Sequence, residues 1–311
     1  MKEKKFEFDT PILFLPFTRM DSMKAVFAEI RKIKPKKFFI GADGPRNAEE
    51  KKKTDAVRKY ILENIDWKCE VKTLFRDVNK GTKYGSYESV SWFFKHVDRG
   101  IVLEDDCLPS PDFFRFCQEI LEKYKDDERV MHINGTNIEG VSDSDGSYFF
   151  TNIVGVWGWA SWRRAWEKCD LEMKNYPKFD SYRGQKILGY RGFIFTLRAL
   201  RLNRLLYAKK VEGYDYPWEF TCRINNALAI VPKSNLITNL GLGKAGGGGH
   251  TTNYGDDKRI KIRPLKFPLI HPEIMVNNWD YWDAFTHLYR VNIPKKLLEL
   301  AIYKIKNLFK R

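Results

Sequence analysis

Short apolar runs alternate with longer helical segments through the first half of this 311-residue chain, and the alternation limits the folds open to it. The expected strands cover residues 11–17, 37–40, 69–75, 101–103 and 130–133. The expected helices cover residues 22–33, with Asp21 as N-cap, 48–63, 84–96 and 112–124. Strands and helices in this order form a parallel sheet that is covered by helices on both faces. The sequence therefore predicts an α/β fold with a mostly parallel sheet.

The fourth expected strand runs directly into three consecutive carboxylates, Glu104, Asp105 and Asp106. Adjacent anions at the end of a buried strand repel one another, and they resist removal from water unless hydrogen bonds or a cation neutralise them. Sheets of this class bind ligands beyond the carboxyl ends of their strands. A hard divalent cation that bridges a diphosphate would satisfy this arrangement, whereas the alternative is a solvated acidic turn.

Charge and cysteine usage narrow the class of protein. Lys and Arg outnumber Asp and Glu by 55 to 40, so the chain carries +15 and should attract nucleotide phosphates or anionic lipid headgroups. Nucleic acid is the weaker choice, because the sequence shows no zinc-finger, helix-turn-helix or aromatic RNA-binding pattern. The five cysteines form no CxxC pair, which argues against a disulfide framework and a zinc site. With no apolar leader or spanning segment, we expect a cytoplasmic protein, soluble or peripheral at a membrane.

Two further segments have a distinctive composition. Residues 241–249 contain six glycines but lack the ending of a phosphate-binding Walker loop, so they are either a mobile lid or a surface loop. From Pro294 onward, apolar residues fall on one stripe of an expected helix and lysines on the other. Such a basic amphipathic helix either lies on an anionic membrane surface or docks on the protein's own core.

The residues around the acidic triplet, Val-Leu-Glu-Asp-Asp-Cys-Leu-Pro-Ser-Pro-Asp-Phe-Phe, resemble the metal-binding segment of GT-A-fold glycosyltransferases of the N-acetylglucosaminyltransferase I type. Residues 11–17 with Arg19, Asp43 after the second strand, and Gly158-Trp159 are similar to other segments of that family. Residues 148–166 also resemble bacterial sugar-nucleotide transferases. The resemblance covers roughly residues 10–255 and implies a Rossmann-like GT-A domain.

The resemblance implies a division of the chain and a set of roles. Residues 1–140 would bind the nucleotide sugar, residues 141–292 would form the catalytic and acceptor side, and residues 293–311 would form the C-terminal helix.

The resemblance also assigns roles to single residues. Asp106 would be the direct ligand of Mn²⁺ or Mg²⁺, while Glu104 and Asp105 would position the nucleotide and diphosphate. The remaining donor contacts would be Arg19 and Asp43 at the base and ribose, Lys83 or Lys80 at phosphate, Trp159 at the sugar, and His250 at the closing lid. Each role has a structural alternative. The lysines could be solvated, Asp43 could be a turn residue, Trp159 could pack in the core, and His250 could be exposed.

The candidate base lies in Gly-Tyr-Asp-Tyr-Pro-Trp-Glu at residues 213–219, which resembles the family's Trp-Asp-Asp-Trp segment. Asp215 stands at the position of the catalytic aspartate, and Glu219 is its rival because the spacing to the tryptophan is two residues longer. A carboxylate among aromatic rings has a raised pKa, which suits a group that accepts a proton from a sugar hydroxyl. The resemblance thus implies an inverting transfer from a nucleotide-diphosphate sugar, with a UDP-sugar as the expected donor, to a hydroxyl of a glycan or lipid-linked glycan. A sugar-1-phosphate nucleotidyltransferase and a carbohydrate-binding module are the alternatives.

Overall fold

The computed structural model describes residues 6–138, 145–241 and 261–290, with side chains described up to residue 286 in the last segment. In this part of the chain the strands are β1 (Ile12–Leu15), β2 (Lys37–Ala42), β3 (Glu70–Phe75), β4 (Arg99–Glu104), β5 (Cys107–Pro109), β6 (Val130–Asn134), β7 (Tyr148–Thr151), β8 (Trp159–Trp162), β9 (Leu228–Pro232) and β10 (Ile237–Asn239). The α-helices are α1 (Met20–Ile33), α2 (Ala48–Glu63), α3 (Gly81–His96), α4 (Pro111–Lys123), α5 (Arg163–Trp166), α6 (Tyr182–Ile187), α7 (Phe193–Tyr207), α8 (Asp215–Ile224) and α9 (Trp279–Arg290).

Eight strands form one sheet in the order β3-β2-β1-β4-β8-β6-β9-β7. The first four strands in this order are parallel, and β9 is parallel to β6, whereas β8 and β7 run antiparallel to their neighbours. The predicted α/β fold with a mostly parallel, helix-flanked sheet is confirmed. The register places Leu15 at the end of β1 opposite Glu104 at the end of β4. The loops that follow these two strands therefore leave the sheet side by side.

Side chains of the parallel strands alternate between two hydrophobic clusters, as expected when both faces of a sheet are covered. Phe14 of β1 lies in the cluster with the inner faces of α1, α2 and α4, whereas Leu13 lies in the cluster with α3, α5 and α8. A third cluster joins β7 and β9 to α6, α7 and α9. The second half of the chain thus contributes a separate packing unit beyond the edge of the sheet.

The structure also corrects parts of the sequence-based boundaries. Helix α2 spans the expected residues, but α1 begins at Met20, so Arg19 and not Asp21 occupies the N-cap position. The short strand β5 was not expected. Among the described residues, no helix is both long enough and apolar enough to cross a bilayer.

Candidate functional site

The acidic triplet meets the loop that follows β1. The backbone N–H of Phe17 donates to Asp105 Oδ2 at 2.9 Å. The guanidinium of Arg19 donates from Nη1 to Asp106 Oδ2 at 2.8 Å and lies 3.4 Å from Asp105 Oδ1. Arg19 and Asp106, distant in sequence, are brought together because β1 and β4 are parallel neighbours whose carboxyl ends lie at the same edge. The structure therefore places Arg19 in ion pairs with the triplet. The predicted contact of Arg19 with the base and ribose stays a prediction.

The triplet crowds three carboxyl groups into a largely buried position. Burial, reinforced by the neighbouring charge of Asp106, raises the pKa of Glu104 to about 8. Burial also raises the pKa of Asp105 to about 6, although the Phe17 N–H and Arg19 oppose the rise. The side chain of Asp106 is 13% exposed and so retains contact with solvent. Such crowding of carboxylates is typical of sites that bind a cation, because a cation removes the repulsion.

The second half of the chain reaches the same carboxylates through the N-terminus of α8. The Tyr214 hydroxyl donates to Glu104 Oε1 at 3.0 Å. Asp215, the first residue of α8, is close enough that its charge contributes to the raised pKa of Glu104. Tyr214 is only 2% exposed and belongs to the hydrophobic cluster of Trp159 and Trp218. Aromatic packing therefore fixes the position from which Asp215 faces the triplet.

The rival carboxylate, Glu219, is held elsewhere. Its Oε1 accepts from Arg223 Nε at 2.7 Å, and the side chain of Arg223 is almost completely buried. The Arg223 guanidinium lies 4.1 Å from the ring centroid of Tyr190 and 5.2 Å from that of Trp282. Glu219 thus neutralises a buried cation in the third hydrophobic cluster, and of the two candidates it is Asp215 that acts electrostatically on the triplet.

The small sheet of β5 and β10 closes the site from another side. The N–H of Leu240, just after β10, donates to the backbone oxygen of Asp106 at 2.7 Å. A Cβ atom on Gly241 would collide with the Asp106 carboxylate, so the absence of a side chain allows the chain to pass this close. The glycine-rich tract therefore begins against Asp106. The rest of that tract, with His250, lies outside the described residues, as does the C-terminal segment 293–311.

Asp43 and Lys83 are both engaged with protein groups. Asp43 follows β2, and its carboxylate accepts from the backbone N–H groups of Lys80 and Gly81 at 3.0 Å, which holds the start of α3. Lys83 is 8% exposed, and its Nζ lies 3.2 Å from Glu172 Oε1. A solvated surface position is thus excluded for Lys83. Contact of Asp43 or Lys83 with a nucleotide stays a prediction.

Trp159 is placed in the core. It lies in β8, has no exposed surface and stacks on His132 with ring centroids 5.3 Å apart. His132 is held by Trp218, whose Nε1–H donates to its Nδ1 at 3.1 Å, and burial lowers the pKa of His132 to about 4. The predicted contact of the Trp159 ring with a donor sugar is therefore corrected: the indole packs in a buried stack, because β8 lies in the middle of a sheet covered on both faces.

The donor set at the triplet fits a hard divalent cation. Glu104, Asp106 and Cys107 offer ligand atoms that all lie within 4.8 Å of one another. A thiol sulfur is a soft ligand, so Glu104 and Asp106 are the better match for a hard cation. Carboxylate oxygens are the ligands that Mg²⁺ and Mn²⁺ prefer. Sequence reasoning missed Tyr214 as a partner of Glu104, and its position directly before Asp215 was the available signal.

Comparison with known proteins gives similarity in structure but not in sequence. No family model matches the chain, and no curated protein matches it. A mannosyltransferase from Pyrobaculum calidifontis, solved with GDP-Man and Mn²⁺, is 11% identical over 72% of this chain and 73% of its own, with a TM-score of 0.39. UDP-glucose pyrophosphorylase with UDP-glucose is 9% identical over 75% and 93%, with a TM-score of 0.38. Mouse xyloside xylosyltransferase 1 is 11% identical over 70% and 81%, with a TM-score of 0.34. Similarities of this size carry no functional assignment.

Proposed function

We propose that the protein is a metal-dependent glycosyltransferase that moves a sugar from a nucleotide-diphosphate sugar, a UDP-sugar by resemblance, to a hydroxyl of a glycan or lipid-linked glycan. The observation that carries the proposal is the convergence of carboxylates from two halves of the chain. Glu104 ends the central strand β4, and Asp105 and Asp106 follow it directly. Asp215, the first residue of α8, is close enough that its charge helps to raise the pKa of Glu104. A binding module needs no such concentration of carboxyl groups.

Glu104 and Asp106 would hold the Mn²⁺ or Mg²⁺ ion. When bound, the ion would balance the negative charge that grows on the leaving diphosphate. Arg19, already 2.8 Å from Asp106, adds a positive group at the same edge of the sheet. Since its side chain is 38% exposed, the guanidinium can turn from the carboxylate towards a phosphate or ribose oxygen.

Asp215 would accept the proton of the acceptor hydroxyl. Asp215 on α8 stands on a different element from Glu104, the last residue of β4, so the base would act from a separate part of the chain in an in-line displacement. Transfer by one such displacement inverts the anomeric carbon. Tyr214 would support this step by holding Glu104 through its hydroxyl and thereby fixing the start of α8.

Calorimetry with UDP in the presence and absence of Mn²⁺ tests the metal site directly. We expect Mn²⁺-dependent binding, and we expect Asp106→Asn to weaken it at least about 100-fold, because one carboxylate ligand is worth several kcal/mol at a metal site. Asp55→Asn, an exposed carboxylate on α2, is the matched control and should bind as the parent does. Unchanged affinity in Asp106→Asn would contradict the assignment.

A screen of nucleotide sugars for metal-dependent hydrolysis tests the reaction. We expect at least one nucleotide-diphosphate sugar to be hydrolysed slowly and to serve as donor with a glycan acceptor. Release of pyrophosphate from a nucleoside triphosphate and a sugar-1-phosphate would instead identify a nucleotidyltransferase. Binding of a glycan without nucleotide or metal would identify a carbohydrate-binding module.

A further inference from the structure

The segment from Ser181 to Lys210 has an unusual charge pattern. It contains eight basic residues and no acidic residue, whereas α2, an exposed helix of similar length to α7, carries five basic and four acidic residues. This segment therefore carries a net charge of +8, out of +15 for the whole chain. This segment lies outside the acidic site, and the proposed reaction does not use it.

The same two helices expose large apolar side chains. Ile187 at the end of α6 is 65% exposed, Phe193 at the start of α7 is 49% exposed, and Leu197 one turn later is 40% exposed. The ring of Tyr182 lies against Phe193 with centroids 5.6 Å apart, which joins the two helices into one surface. We call this surface, with the basic residues Arg183, Lys186 and Arg201, the α6–α7 face.

The α6–α7 face is held rigidly from behind. The opposite side of α7 buries Thr196, Ala199, Leu200, Asn203 and Leu206 in or beside the third hydrophobic cluster. Leu197 and Leu205 line a groove of about 420 Å³ together with Arg201 and Arg204. Apolar and basic side chains thus alternate along a surface whose backbone is fixed by the core.

Part of the positive charge on this face has no acidic counterpart. Arg204 pairs with Asp180, and Lys209 pairs with Glu172. Within residues 6–138, 145–241 and 261–286, no carboxylate forms an ion pair with Arg183, Lys186 or Arg201. These three exposed cations are therefore available to an external anion.

We propose that the α6–α7 face binds an anionic lipid bilayer, with Ile187, Phe193 and Leu197 inserted among the headgroups and the surrounding cations on lipid phosphates. Basic side chains around exposed apolar ones are the combination that holds a helix in the membrane interface. A soluble polyanion such as RNA would satisfy the cations but would leave the apolar side chains in water. Residues 291–311 of the same chain carry six basic residues and one acidic residue, so their charge does not complement this face.

Co-sedimentation with vesicles tests the proposal. The intact protein should bind vesicles of phosphatidylcholine with about 30% phosphatidylglycerol and should not bind vesicles of phosphatidylcholine alone. Arg183→Gln with Arg201→Gln should weaken partitioning roughly 25-fold, at about fivefold for each of the two cations. Phe193→Ser with Leu197→Ser should also release the protein, since insertion of both side chains is lost. The matched control on α2, Lys52→Gln with Leu62→Ser, removes a similarly exposed pair and should leave binding unchanged.

Each variant alters exposed side chains, so an unchanged melting temperature serves as the check on folding. If both double variants of the α6–α7 face bind vesicles as well as the parent protein does, the proposal is overturned, because another segment, such as residues 291–311, would then carry the contact. Binding to homopolymeric RNA but not to anionic vesicles would overturn it in favour of a nucleic-acid partner. Equal loss in the α2 control would show a general charge effect and would also overturn it.

Discussion

The two halves of the molecule bring charge to one place by different means. In residues 6–134 the carboxylates and Arg19 come together because parallel strands end at the same edge of the sheet, as the pairing of Leu15 with Glu104 shows. In residues 145–241 the approach depends on side-chain packing, since Tyr214 and Asp215 are held by a buried aromatic cluster. Backbone hydrogen bonds of the sheet thus position the metal ligands, whereas the packing of buried aromatic side chains positions the start of α8. Substitutions in the two halves should therefore fail in different ways.

The largest difference should follow from Asp215→Asn. The change keeps size and shape but removes the proton acceptor, so Mn²⁺-dependent UDP binding should persist while transfer falls about 100-fold to 10,000-fold. Steady-state transfer assays beside calorimetry measure the two quantities. Glu219→Gln is the control, and because it breaks a buried pair with Arg223 it should lower stability more than the catalytic rate of the folded enzyme. An active Asp215→Asn beside an inactive Glu219→Gln would exchange the two roles.

Removal of the central ring of the aromatic cluster should cost stability rather than donor affinity. Trp159→Ala deletes a fully buried side chain, and we expect the free energy of unfolding to fall by about 3–5 kcal/mol. Denaturant titration measures this loss, and Trp279→Ala, at a 38% exposed ring, should lose much less. A milder Trp159→Phe should keep the donor KM of the folded enzyme. A raised KM without a loss of stability would restore the sugar-contact hypothesis.

The acidic triplet should make the metal-free protein less stable as the pH rises. Glu104 ionises near 4.5 when unfolded and near 8 when folded, so the folded state holds the extra proton between these values. Its contribution to stability is fully present below pH 4.5 and is lost as the pH rises through 8. Glu104→Gln removes this loss, and we expect its melting temperature in EDTA above pH 8 to exceed that of the parent by roughly 4 °C or more. Equal melting temperatures across this range would place Glu104 in a hydrated environment.

The sequence predicted the sheet half well for a physical reason. Periodicity reports which face of a strand or helix is buried, and the order of parallel strands follows from short connections, so the positions of β1, β2, β4 and the triplet could be inferred together. The errors concerned single boundaries. Helix α3 begins at Gly81 instead of Tyr84, because the Asp43 carboxylate accepts hydrogen bonds from the N–H groups of Lys80 and Gly81. The sequence analysis identified Asp43 after the second strand, but it did not predict the hydrogen bond to Asp43 from the backbone N–H of Lys80, 37 residues away.

The second half could not be inferred to the same degree. Its contacts join residues distant in sequence without a repeating pattern, as in the hydrogen bond from Tyr214 to Glu104, 110 residues apart. The spacing of tryptophans alone does not show whether a ring contacts a ligand or packs in the core. Trp159 was assigned to a sugar contact, but its ring is fully buried. The motif resemblance singled out Asp215, whose charge acts on Glu104, although it could not show that Arg223 engages Glu219. The role of Asp215 as a base stays a prediction.

The smallest expected effect concerns Asp43, which belongs to the sheet half but anchors a loop through side-chain bonds. Asp43→Asn keeps one acceptor oxygen for the N–H groups of Lys80 and Gly81 and loses the charge, so the free energy of unfolding should fall by about 0.5–1.5 kcal/mol. Gly85 leaves little room for a rearranged side chain, because a Cβ there would lie only 2.8 Å from Asp43 Oδ2.

Asn47→Ala, which removes the N-cap of α2, is the matched control for a lost anchor away from the triplet. If Asp43 acts as an anchor, both variants should lose similar stability and keep UDP affinity within about threefold of the parent. A tenfold or larger loss of UDP affinity confined to Asp43→Asn, without a matching loss of stability, would instead establish the predicted contact with the nucleotide.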